Sequence, residues 1–221
     1  MGTITRSLSN NITTGGVILP AGITNATVAN ITSFPNASGG TLILLSTQTA
    51  SASATISFTT GLDSTYDEYI FKFINIHPAT DSTTFQFQGS TNGGSSYGVA
   101  ITSIFFRAVH DEADVNTALD YVTNSDLAQS TSFQNINQLN DLGFDNDQNL
   151  GGTLTLFNPS STTYVKHFIS TNNYSHPADY SIESFVAGYF NTTSAINAIQ
   201  FKMASGNIDD GIIKLYGVKK S

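Results

Sequence analysis

Four histidines, His77, His110, His167 and His176, are the side chains in this sequence best suited to acid/base or metal chemistry, and two of them share a local pattern. His77 and His176 each precede a proline with an aspartate close behind, as "HPATD" and "HPAD". No two histidines lie at the i, i+4 or short-loop spacings of zinc sites, so a metal pair would need strand ends distant in sequence to converge. A residue before proline is biased toward extended backbone, and the plain reading of both steps is a rigid turn at a strand end.

Carboxylates offer two further clusters. "DNDQN" places Asp145, Asp147 and Asn149 at alternating positions, an oxygen-rich spacing of the kind Ca²⁺ takes. The EF-hand pattern is not met, because Gly151 falls one residue late and Leu156 stands where the bidentate Glu is needed. The segment reads as a solvated acidic loop with those three residues as weak metal candidates, and "HDEAD", residues 110–114, is a similar case. Asp67 and Glu68 point to opposite sides of their strand, so they cannot work as a glycosidase pair. With no G-x-S-x-G elbow, no phosphate-cradling glycine loop and no Cys nucleophile, no residue is nominated as catalytic, no cofactor is called for, and the chain is expected not to be an enzyme.

The elements that must position these residues are strands. In "EYIFKFINI" Tyr69, Phe71 and Phe73 share one face, and in "TTFQFQGS" Phe85 and Phe87 share one face while Gln86 and Gln88 point to the other. Lys72, Gln86 and Gln88 are therefore expected on an outer face, with Gln86 and Gln88 as subunit-interface candidates. "TLILL", "SATISFTT" and "YGVAITSIFFRAV" complete a first set of five strands. "GTLTLFNP", "TTYVKHFIST", "SIESFVAGYF", "AINAIQFKMAS" and "GIIKLYGVK" make a second set, with turns expected at "TNGGSS", Asn158-Pro159, Asn172-Asn173, Asn191-Thr192 and "GNIDDG". Between the sets, residues 109–150 break the alternation and read as a long excursion, with a strand-like piece around Leu119–Thr123 and one short helical turn at Ser125–Ala128. About ten short strands and no long helix indicate an all-β fold, a jelly-roll-like antiparallel β-sandwich over residues 41–221.

Residues 1–40 differ. They contain no Asp or Glu, one Arg, and small apolar residues scattered among Asn, Thr and Gly. A disordered leader would carry more charge and fewer Ile and Val, so the expectation is an extended N-terminal arm that orders against neighbouring subunits through Ile4, Ile12, Val17, Ile18, Ile23, Val28 and Ile31.

Bulk composition narrows the partners. Only 11% of residues are charged, against about 25% in an ordinary soluble domain, so Ser, Thr, Asn, Gln and Gly must cover the surface. Eight Lys+Arg against sixteen Asp+Glu give a net charge of -8, which disfavours nucleic acid and anionic membrane as partners. Cys is absent, so neither disulfides nor thiolate metal sites can form. The start, "MGTITRSLSNN", has no apolar stretch after its Arg, and the expectation is a protein that is neither exported nor membrane-spanning. Six Asn-x-Ser/Thr triplets, at Asn11, Asn25, Asn30, Asn36, Asn173 and Asn191, are then chance products of composition.

"TYDEYIFKFINIHPATDSTTFQFQGSTNGGSSY", followed near the end by "INAIQFKMASGNIDDGIIKLYGVKK", resembles a group of β-sandwich virion structural proteins of tailed bacteriophages, many of them marine, labelled variously as head-decoration, tail-fibre or structural proteins. The closing pattern, an Ile/Phe-rich strand, a Gly-Asp turn and "IKLYG", is its most specific part, and the likeness covers residues 41–221. The resemblance implies a virion location and a structural role. The leading expectation is a capsid decoration or cement protein that binds the major capsid protein through its arm and forms a homotrimer. The alternative is a tail-fibre or tail-tip protein recognising a host surface glycan.

Overall fold

The structure, a computed structural model, describes residues 12–13, 16–17 and 41–219. The chain divides into two units, residues 1–39 and 40–221. In the first, β1 (Ile12–Thr13) and β2 (Gly16–Val17) pair antiparallel, with Ile12 opposite Val17. Of the arm residues expected to bind partners, Ile12 and Val17 are described as backbone in this ladder, and Ile4, Ile18, Ile23, Val28 and Ile31 lie outside the described residues.

The second unit is an all-β sandwich. Its strands are β3 (Leu42–Ser53), β4 (Ile56–Phe58), β5 (Glu68–Pro78), β6 (Phe85–Ser90), β7 (Ile101–Asp111), β8 (Thr117–Tyr121), β9 (Gln134–Asn135), β10 (Leu150–Phe157), β11 (Lys166–His176), β12 (Tyr180–Phe190), β13 (Ala198–Met203) and β14 (Ile208–Val218). Eight form one sheet in the order β3-β14-β5-β10-β11-β12-β7-β8, and four form the other in the order β4-β13-β6-β9, with antiparallel neighbours throughout. The ten strands read from the sequence are all present. The sandwich is as expected, and its two layers are unequal, eight strands against four.

Period-2 alternation makes the core. Tyr69, Phe71 and Phe73 of β5 are buried while Glu68, Ile70 and Lys72 are half-exposed. Phe201 of β13 gathers the aromatics of both sheets, with Phe71 at 5.2 Å and Phe73 at 5.3 Å from the large sheet and Phe58 at 6.2 Å and Phe85 at 5.7 Å from the small one. Such pairs add about 0.5–1.5 kcal/mol each beyond the area they bury. Alternation slips once on β5, where Asn75 takes φ 51° and the register to β10 and β14 shifts. Gly211 on β14 lies against this bulge at φ 127°, and a Cβ there would come within 2.7 Å of the Asn75 carbonyl. Only glycine fits that position without strain.

Four expectations need correction. Gln88 is fully buried, not an interface residue: its Nε2 donates to the carbonyls of Ser132 at 2.8 Å and Thr131 at 3.2 Å, and its Oε1 accepts from Gly89 N. Gln86 is half-buried and donates to Asn135 Oδ1 at 2.7 Å. Chain that follows β8 folds back along β6 and covers the face these residues were expected to offer. The excursion at 109–150 is accordingly not a free loop, since Val109–Asp111 belong to β7, β8 returns as an edge strand, and β9 joins the small sheet. Ser125–Ala128 is not helical, because Leu127 is tied to β7 instead, its N–H donating to Ser103 Oγ and its carbonyl accepting from Ser103 N at 2.9 Å. Asn172 and Asn173 do not turn the chain: they lie within β11, and the turn comes later, where Asp179 N donates to His176 O at 3.0 Å.

Candidate functional site

One end of the sandwich collects a cluster of ionisable side chains. The end of β5, the β7–β8 and β11–β12 hairpins, the run 141–149 into β10 and the start of β14 all arrive there, because antiparallel pairing brings Ile76 opposite Leu150, Leu150 opposite Tyr174, and Tyr180 opposite Asp111. Both His-Pro steps act as hooks on the run 141–145. His77 Nε2–H donates to the carbonyls of Phe144 at 3.0 Å and Asp145 at 3.3 Å. His176 reaches Asp141 Oδ1 through Nε2 at 3.0 Å, and its Nδ1 accepts the Ala178 N–H at 2.9 Å. That amide leaves Nδ1 without a proton, so Nε2 carries the hydrogen that Asp141 accepts.

Asp141 is buried and serves three donors. Its Oδ2 takes the Tyr174 hydroxyl at 2.9 Å and Arg107 Nη1 at 3.5 Å, beside the His176 contact on Oδ1. Arg107 Nε also donates to Asp120 Oδ2 at 3.0 Å, which fastens the edge strand β8 to the network. Burial, and then the charge of Asp141, push the Tyr174 hydroxyl far above the ordinary tyrosine pKa. Asp111 closes the neighbouring hairpin by accepting the amides of Val115 and Asn116 at 2.8 and 3.0 Å. The Asn116 amide, with Val115 behind it, holds the Asp111 carboxyl below its usual range against the opposing effect of burial.

Two clefts flank the loop at 145–149. One, of about 320 Å³, is lined by carboxylates, amides and an aromatic ring, among them Glu112, Asp147, Asn173, Asp179 and Tyr180. The other, about 280 Å³, lies between His77, Asn146, Asn149 and Asp209. Gln148 separates them: its Oε1 accepts from Asp145 N at 3.3 Å and its Nε2 donates to His176 O at 3.2 Å. Asp145, Asp147 and Asn149 thus form a loop braced through Gln148, and among the described residues no three His, Asp or Glu side chains converge as a metal site. His110 Nε2 lies 3.3 Å from the exposed Asp114 Oδ1, and His167 lies elsewhere, edge-on to Tyr189. The acidic clefts can accept hydrogen bonds from a polyol or attract a cation, with Tyr180 already stacked on its inner side by His176 at 5.0 Å.

A second surface was not legible as a site from the strand pattern. The outer face of the eight-stranded sheet carries Leu42, Leu44, Ile74, Ile104, Leu119, Tyr121, Phe157 and Ile169, all exposed. Register makes a continuous row across seven strands: Leu44, Tyr216, Ile70, Thr155, Ile169, Ala187 and Ile104 each stand opposite the next. The adjacent row runs Thr47, Lys214, Lys72, Thr153, Thr171, Phe185, Phe106 and Tyr121. Phe106 and Phe185 stack at 4.7 Å. At Ala187 the face dips into an apolar hollow of about 440 Å³ between Ile104, Ile169 and Tyr189. The signal was present in "SIFF", "HFIS" and "SFVAGYF", where each of the two alternating sets contains an apolar residue.

No protein-family model, no curated protein and no solved structure matches this chain.

Proposed function

We propose that this chain is a structural protein of a bacteriophage virion, a head-surface decoration protein that acts by adhesion to the major capsid protein and to its own copies. The observation that carries the adhesive part is the outer face of the eight-stranded sheet, which presents eight exposed large apolar side chains. Exposed apolar patches of this extent mark interaction surfaces. The attachment to the capsid is assigned to the arm at residues 1–40, whose Ile and Val residues lack any acidic neighbour within that segment.

The polar cleft beside Tyr180 favours a second reading, a tail protein that binds a host surface glycan, because carboxylates and amides around a ring suit sugar hydroxyls. Electron microscopy of intact particles carrying a tagged copy separates the two. Label spread over the head in many copies supports decoration. Label confined to the tail in a few copies moves the assignment to receptor binding, and unlabelled particles remove the virion reading altogether.

A further inference from the structure

From the outer face of the eight-stranded sheet we infer a two-fold interface in which a second copy of this chain packs face to face on the first. This goes beyond the virion reading and does not depend on it. The face has the extent such a contact needs: eight strands about 4.8 Å apart and eleven-residue strands rising about 3.3 Å per residue make an area roughly 35 Å on a side. A stable interface needs about 800 Å² per partner.

What selects a second copy as the occupant is the distribution of side chains about the seam between β10 and β11. In the strand order, β5 stands on one side of that seam where β12 stands on the other, and β14 stands where β7 does. A two-fold axis along the seam therefore lays β5 of one copy over β12 of its partner, and β14 over β7. Rows keep their level under that rotation. In the first row, Ile70 meets the hollow at Ala187, Tyr216 meets Ile104, and Thr155 meets Ile169. In the second, Lys72 meets Phe185 and Lys214 meets Phe106.

That second pairing resolves a conflict left inside the single chain. Lys214 and Lys72 stand directly opposite each other on neighbouring strands, and like charges so placed repel. Lys72 lies 5.4 Å from the Tyr216 ring, and among the described residues no carboxylate bridges either lysine. The stacked Phe106–Phe185 pair on the opposite flank presents aromatic faces suited to ammonium groups, and Glu183 lies two residues along β12 from Phe185. One flank carries Lys72 and Lys214, with Glu68 further along β5, and the other carries the stacked rings and Glu183, so the two-fold sets the lysines of each copy against the rings of the other.

The chain's lack of cysteine makes the geometry directly testable. Within one chain, positions 70 and 187 are separated by three strand spacings, about 14 Å. Across the proposed axis they face each other over the gap between packed sheets, about 10 Å, which is wider than the ~7 Å a disulfide spans and suits a short bis-maleimide. The full-length double variant Ile70→Cys/Ala187→Cys, treated with a short bis-maleimide under native conditions, is expected to give a covalent dimer well above the background of the same protein in urea. Unmodified full-length chain at micromolar concentration is expected to sediment at twice 23.5 kDa, and Ala187→Arg, with an unchanged far-ultraviolet spectrum, at 23.5 kDa. The inference is overturned by an unmodified chain that sediments at 23.5 kDa or at three times that mass, by a dimer that survives Ala187→Arg, or by cross-linking no greater than in urea.

Discussion

His176 donates its Nε2 hydrogen to Asp141 at 3.0 Å, one of the bonds that tie the β11–β12 hairpin to the segment that leads into β10. It also orders the acidic end, because the same carboxylate receives Tyr174 and Arg107. Asp141→Ala removes the acceptor of all three donors. Leaving a buried donor unpaired costs about 1–3 kcal/mol, and the urea midpoint is expected to fall accordingly. Asp141→Asn, which keeps an acceptor oxygen, is expected to lose less. Equal midpoints for both variants and the parent would show that the network does not hold the fold.

Alkaline pH tests the same network from another side. The folded-state pKa of Tyr174 lies above its unfolded value of 10.0, so the folded chain holds its proton longer than the unfolded one. Stability from this group is complete below pH 10 and is lost as pH rises beyond it toward the folded-state pKa. Tyr69, also raised, chiefly by burial, acts in the same sense, and Lys166, lowered by burial, acts in the opposite one. Tyr174→Phe should therefore flatten the alkaline loss without abolishing it in denaturation curves taken at a series of pH values. An unchanged slope would mean that Tyr174 ionises as freely in the folded chain as in the unfolded one.

The two glutamines on β6 should separate cleanly. Gln88→Ala strips a buried amide from two carbonyls and one amide, and about 1–3 kcal/mol of stability should go with it. Gln86→Ala, at a half-buried position with one side-chain partner, should cost under about 1 kcal/mol. Chemical denaturation measures both, and a reversed order would place Gln88 in solvent.

Phe201→Ala empties the point where the two sheets' aromatics meet, and removal of such a buried ring costs about 3–5 kcal/mol. A loss of that size in thermal or denaturant unfolding is the expected result. A loss below ~1 kcal/mol would show that the core closes over the gap.

Deleting residues 1–40 should leave the sandwich folded, since residues 40–221 form a compact unit by themselves. Retained cooperative unfolding is the measurement, with loss of particle attachment as the functional consequence under the proposed role. A truncated chain that unfolds without cooperativity would show that the arm is part of the core.

The inward sets of β5 and β6 were readable from sequence alone, and so was the all-β class. Tyr69, Phe71, Phe73, Phe85 and Phe87 alternate at the period of a pleated strand, and that period follows from local backbone geometry with no need of a partner. Gly93 and Gly94, at φ 70° and 87°, likewise form the expected turn, because positive φ costs glycine nothing. The His-Pro steps were legible as strand-end features for the same local reason. What they hold was not, because the carbonyls of Phe144 and Asp145 and the carboxylate of Asp141 reach them only when distant segments meet.

The identity of the second face was decided by tertiary structure. Alternation says that Gln86 and Gln88 leave the Phe85–Phe87 side, and nothing in their own strand says whether solvent or chain awaits them. The returning segment through Ser132 and β9 covers them, and its path depends on contacts such as Leu127 with Ser103 that join residues far apart in sequence. The row from Leu44 to Ile104 is the converse case. Its members are scattered along seven strands, none unusual alone, and they become one apolar surface only because strand order and register align them while the small sheet occupies the opposite side.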